Sequence, residues 1–155
     1  MVSPSQTRLD KQFMMQALSL AQAAGQSGEV PVGAIVVLNN ESIGNGMNRC
    51  VMDHDPSAHA EVLALKSAAK TIQNFRLNGA TLYVTLEPCL MCCGALLQAR
   101  VARLVFGARE PRTGGVCSIH ESLSLPGVEP HIAVTEGIYA EEASELLRIF
   151  FKRRR

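Results

Sequence analysis

The run Thr81-Leu-Tyr-Val-Thr-Leu-Glu-Pro-Cys-Leu-Met-Cys92 decides the fold. Its first half, Thr81 to Val84, is apolar and rich in strand formers, so it reads as a strand. Pro88 then opens a helical segment from Cys89 to about Gln98, since proline suits the first turn of a helix. Arg103 to Phe106 reads as the next strand. A strand, a helix and a strand in about 25 residues make a crossover unit, the building block of a parallel sheet with helices on its faces.

Outward from that unit the pattern continues. Upstream, Val30 to Leu38 is a continuous β-branched run ending at Asn39-Asn40, which reads as a buried strand entering a hairpin. Ser42 to Gly46 is the expected return strand, loosened by Gly44 and Gly46. Phe13, Met14, Ala17, Leu18, Ala21 and Ala24 recur at helical spacing, with Gly25 as the expected C-cap. Asp55-Pro56 resembles a helix N-cap and first turn, for a helix through Ala58, Val62, Leu63, Leu65 and Ala69. Downstream, Ile132 to Val134 is a fifth strand, and Tyr139, Ala143, Leu146, Leu147 and Phe150 share one face of a last helix. The order α-β-β-α-β-α-β-β-α predicts a three-layer α/β/α sandwich around a mixed five-stranded sheet, with residues 1–155 as one domain. The tail at 139–155 belongs to it. Gly107 to Glu129 is the least regular stretch, as a functional loop or a mobile surface excursion would be.

Composition narrows the function class. The chain has 155 residues, 47% hydrophobic and 19% charged, with a net charge of +1, which excludes a disordered chain. The longest apolar run, nine residues, is far short of the ~20 that a membrane-spanning helix needs. MVSPSQTRLDKQ lacks an apolar signal core. The five cysteines are an odd number, and three lie within five residues. Together these predict a reducing, cytoplasmic setting in which some thiols serve chemistry or metal.

Two motifs stand at expected helix starts: His59-Ala60-Glu61 and Pro88-Cys89-Leu90-Met91-Cys92. Thiols at i and i+3 of a helix start can face one ion, and the positive end of the helix favours the thiolate. One imidazole and two thiolates give three ligands, the count of a catalytic zinc site with an open position rather than a four-ligand structural one. Glu61 is the candidate to move protons there. Residues two apart do not share a helix face, so His59 and Glu61 converge only if the helix is imperfect at its start or the metal lies near its axis. Taken singly, the pieces also fit a redox C-x-x-C pair, a core histidine and a first-turn acid. Cys93 lies out of register with the pair and reads as core. Cys50 and Cys117 read as small hydrophobes.

H-x-E with P-C-x-x-C is the signature of the zinc-dependent nucleobase deaminases. The runs Glu29 to Ala34, Asn48, His54 to Glu61, Asn74 to Leu77, Thr81 to Cys89 and Phe106 to Arg109 closely resemble the bacterial tRNA-specific adenosine deaminase family. The resemblance spans about Phe13 to Phe151. It implies a cytidine-deaminase-like fold, a homodimer, one Zn²⁺ per subunit and hydrolysis of the wobble adenosine of a tRNA anticodon stem-loop to inosine and ammonia. By position it makes His59, Cys89 and Cys92 the zinc ligands and Glu61 the proton shuttle. Asn48 would bond the purine, and Val30 would form an apolar wall. Without it, Asn48 reads as a turn residue and Val30 as a buried strand valine. Glu110 stands where the family has Asp and is expected near the neighbouring nucleotide's sugar. Met47 replaces an aromatic, and Cys117 a small residue.

The C-terminus Phe150-Phe151-Lys152-Arg153-Arg154-Arg155 reads as an aromatic and basic strand-binding element that includes Phe151 and Arg153, or as a frayed tail. Five basic residues and no acids fall in Arg148 to Arg155, leaving ten basic against fourteen acidic residues before them, a net of −4. The overall balance therefore conceals a basic end. Two alternatives stay open. One is a deaminase of free bases such as guanine or cytosine, which has no use for that tail. The other is a non-catalytic zinc-stabilised RNA-binding module, which has no use for Glu61.

Overall fold

A computed structural model describes residues 2–154. The helices are α1 (Pro4–Gln26), α2 (Ala60–Ile72), α3 (Leu90–Ala99) and α4 (Ala140–Arg153). The strands are β1 (Gly33–Leu38), β2 (Glu41–Met47), β3 (Thr81–Leu86), β4 (Arg103–Ala108) and β5 (Ala133–Glu136). They form one mixed sheet in the order β2-β1-β3-β4-β5. β1 is antiparallel to β2 and β3, while β3, β4 and β5 run parallel.

Strand periodicity explains the three layers. Ala34, Val36, Leu82, Val84, Leu104 and Phe106 pack on one face with Ala60, Ala64, Leu65 and Ala68 of α2 and Cys93 and Leu96 of α3. The alternate residues, Ile35, Val37, Tyr83 and Val105, pack on the other face with Phe13, Met14 and Ala17 of α1 and Ala143 of α4. A strand covered on both faces is apolar throughout, which is why β1, β3 and β4 read as continuous runs. Asp10, fully buried, ties the second layer down: it accepts from the Arg103 guanidinium at 2.8 and 2.7 Å and from the Tyr83 hydroxyl at 2.8 Å.

Several boundaries differ from expectation. β1 begins at Gly33, not Val30; Val32 N–H closes a tight turn onto the Val30 carbonyl at 2.8 Å. Asn39 and Asn40 both have φ near +60°, the geometry of a two-residue hairpin turn. Gly44 and Gly46 do not loosen β2. A Cβ at either would stand 2.4–2.5 Å from the α2 backbone, so the two glycines let that helix lie directly on the strand. Gly25 lies inside α1, whose C-cap is Ser27. β5 starts one residue later than expected. Tyr139 is the N-cap of α4, and of the expected apolar face only Ala143 is fully buried.

Asp55-Pro56 does not open α2. The Asp55 carboxylate instead accepts from the Ser57 N–H at 2.8 Å and hydroxyl at 2.7 Å, a local turn. The helix starts five residues after Asp55, with His59 as N-cap.

Candidate active site

Two helix starts meet at one point. His59 is the N-cap of α2 and Cys89 the N-cap of α3, both with extended backbone; Cys92 follows one turn into α3. The His59 Nδ1 lies 3.6 Å from the Cys89 Sγ and 3.5 Å from the Cys92 Sγ, and the three ligand atoms lie within 4.8 Å of one another. Zn–S and Zn–N bonds of about 2.3 and 2.05 Å at a tetrahedral angle imply an S···N edge of about 3.6 Å. The donor set thus fits a zinc ion in both chemistry and spacing.

The N-cap position removes the difficulty posed by the sequence. His59 stands outside the helix and is free to turn toward the two sulfurs. Glu61 is in the first helical turn, 4% exposed. Burial pushes its carboxyl above the ordinary range, and the Cys92 thiol is its neighbour. The thiols differ: a hydrogen bond from Cys92 is the largest cause holding Cys89 down to about 4, and the same bond and burial push Cys92 up. Cys89 is therefore a ready thiolate at neutral pH.

Neighbouring residues hold the start of α2 and the loop before it. The Asn48 Oδ1 accepts the Ala60 N–H at 2.8 Å, so the α2 N-terminus is held by a residue from the end of β2. That bond leaves the Asn48 amide nitrogen to donate elsewhere; among the described residues it has no protein acceptor. Val30 is half-buried against the α2–α3 layer. Glu29, buried beside it, accepts from the Val51 and Met52 N–H groups at 3.1 and 2.7 Å and fixes the loop after Asn48.

On the other side, the loop after β4 hangs on Glu87. Its carboxylate accepts from the N–H of Glu110 at 3.0 Å, Val116 at 3.1 Å, Cys117 at 2.9 Å and Ser118 at 3.0 Å, and from the Ser118 hydroxyl. Burial alone would raise this carboxyl, but the donors outweigh it and hold it at about 2. The Glu110 side chain accepts from Arg112 N–H at 2.9 Å.

The C-terminal residues do not form a frayed tail, because α4 runs through Arg153. Arg153 and Phe150 line a groove with Gln22, Gly25, Gln26 and Pro31, and Pro31 adjoins Val30. Arg154 donates to the Gly28 carbonyl at 2.7 Å and lies 4.5 Å from the Phe150 ring centre. Phe151 is exposed and meets Phe150 edge-on. Arg155, part of the expected basic element, lies outside the described residues.

Sequence reasoning assigned no role to Glu29 or Glu87, although both stand in the quoted runs. The available signal was a lone acid inside an otherwise apolar segment.

A family model of MafB19-like deaminases matches residues 9–155. The tRNA-specific adenosine deaminase of Haemophilus influenzae is 46% identical over 150 residues, 96% of this chain and 87% of that protein. The chain belongs to the tRNA-specific adenosine deaminase family. A solved structure from work on A-to-I editing by tRNA:A34 deaminases at the wobble position superposes with a TM-score of 0.85 at 40% identity, covering 88% of this chain and 99% of that one. A guanine deaminase from Nitrosomonas europaea is more distant, with a TM-score of 0.74 at 27% identity over 97% and 85% of the two chains. This family member is a deaminase with the cytidine-deaminase-like fold. Among its described residues, no helix is long and apolar enough to cross a membrane.

Proposed function

We propose that this deaminase hydrolyses the wobble adenosine of a tRNA anticodon loop to inosine and ammonia, with one Zn²⁺ per subunit held by His59, Cys89 and Cys92. The observation that carries the reading is the buried Glu61 carboxyl beside a three-donor set with zinc spacing. A zinc ion held by these residues would supply Lewis-acid chemistry, lowering the pKa of water from 15.7 to about 7. Glu61 would take one proton from water as oxygen adds at C6 and pass it to the purine ring nitrogen, then take the second from the C6 hydroxyl and pass it to the departing amine, leaving a carbonyl and ammonia. Burial favours a carboxyl that holds a proton between those steps.

The Asn48 amide donates to the purine and Val30 forms an apolar wall. Glu110 faces the neighbouring nucleotide, while Arg153 and Phe151 contact the strand. The groove from Pro31 to Arg153 supports strand binding, because it carries cation and aromatic chemistry away from Val30. A free-base deaminase needs no such groove, and the guanine deaminase is the weaker match in sequence and in fold. A base in a single-stranded loop also reaches a buried site at lower unstacking cost than one in a duplex.

A homodimer is supported by the open apolar groove between α2 and α3, lined by Val62, Leu65, Ala69, Phe75, Ala95 and Ala99, with Phe75 62% exposed. A tRNA substrate and reduced thiols support a cytoplasmic setting. The reading is tested with Glu61→Ala. Retention of one zinc per subunit with loss of deamination supports it, and full activity overturns it.

A further inference from the structure

The buried Glu87 carboxylate collects five donors, and their arrangement on it is asymmetric. One oxygen, Oε2, takes the Val116, Cys117 and Ser118 N–H groups. The other, Oε1, takes the Glu110 N–H and the Ser118 hydroxyl. The donors lie 23 to 31 residues downstream, in irregular chain with no helix or strand to hold it. Gly114 is part of the same fit: a Cβ there would stand 2.4 Å from the carboxylate. The Glu87 N–H also extends the β3–β4 pairing onto the Ala108 carbonyl at 2.8 Å, and the Gly115 N–H bonds the Pro88 carbonyl at 2.8 Å. The segment that carries Cys89 therefore also carries the anchor of the loop.

We propose that Glu87 is a positioning residue for the RNA. Through its Oε1 it sets the main chain at Glu110, and so aims the Glu110 side chain at the nucleotide beside the target base. This rests on the substrate reading above. It concerns binding of the strand and not the chemical step, because no atom of Glu87 is needed at the reacting carbon.

Glu87→Gln separates the two oxygens. With the amide oxygen toward the three-donor side, those bonds persist. The amide NH₂ then meets the Glu110 N–H, which loses its acceptor. The experiment compares wild type, Glu87→Gln, Glu110→Ala and the double variant, loaded with zinc, on an anticodon stem-loop. Each single variant is expected to keep its zinc and raise KM about tenfold, with kcat within about threefold, as for one lost charge-assisted hydrogen bond expressed in substrate binding. The double variant is expected to be no worse than the poorer single one, since both act through one side chain.

A double-variant KM equal to the product of the two single effects overturns the proposal, as does a fall in kcat or zinc content with KM unchanged. If Glu87→Gln fails to fold, Ser118→Ala decides. It removes one donor to Oε1 and leaves the carboxylate in place. A KM rise of about threefold at constant kcat supports the proposal, and an unchanged KM overturns it. If the wild type itself leaves the stem-loop unmodified, it is the substrate reading that fails.

Discussion

The Asn48 Oδ1 receives the Ala60 N–H at 2.8 Å, so one side chain caps the helix that carries Glu61 and keeps its amide nitrogen free to donate, in the proposed function to the purine. The two jobs can be separated. Asn48→Asp keeps an acceptor for Ala60 and loses the donor to the purine. It is expected to hold the wild-type Tm within a few degrees and to raise KM for the stem-loop about tenfold or more. Asn48→Ala should also lose about 1 kcal/mol of stability, the usual cost of a lost cap. Thermal melting and steady-state kinetics of the two variants check this.

Asp10 is a structural counterpart, far from the zinc donors in chemistry and role. Asp10→Ala would leave the Arg103 guanidinium and the Tyr83 hydroxyl without their buried partner. Removing one side of a buried pair costs about 3–5 kcal/mol. Urea unfolding should show that loss, while kcat at a temperature where the variant stays folded should remain near wild type.

Glu87 gives a pH signature. Its carboxyl is held at about 2 against an ordinary value near 4.5. A group whose pKa is depressed on folding adds stability above the unfolded value and loses it as pH falls through the folded one. The Tm difference between wild type and Glu87→Gln should therefore be largest above pH 4.5 and shrink steadily toward pH 2. A difference that stays constant over that window would show that the charge on Glu87 adds nothing to folding.

Removal of the metal is expected to abolish deamination and leave the sheet in place, since neither core cluster is built on His59, Cys89 or Cys92. Chelation followed by zinc addition should restore activity to wild type. In Cys92→Ser, one sulfur of the three-donor set is lost, and zinc content should fall below one per subunit. Metal analysis alongside far-UV circular dichroism checks both statements.

Much of this was legible in the sequence because local chemistry carried it. The runs at 81–84 and 103–106 read as strands, and β3 and β4 stand there. The i,i+3 cysteines had to share one side of a helix start. What stayed hidden depends on contacts distant in sequence. Asp55-Pro56 has the composition of a helix start, yet α2 begins at Ala60, where Asn48 supplies the acceptor from twelve residues upstream. The glycines of β2 read as weakness because the helix backbone that lies against them cannot be seen along the chain. Glu87 collects donors from a loop that composition describes only as irregular.

The central claim is that this site deaminates adenosine in an anticodon loop. The most direct measurement incubates the zinc-loaded protein with an anticodon stem-loop bearing adenosine at the wobble position and, separately, with free adenosine, cytidine and guanine, and reads the products by mass spectrometry. The account predicts inosine at the wobble position of the stem-loop and no turnover of the free compounds. Turnover of a free base or nucleoside with an unmodified stem-loop would contradict it.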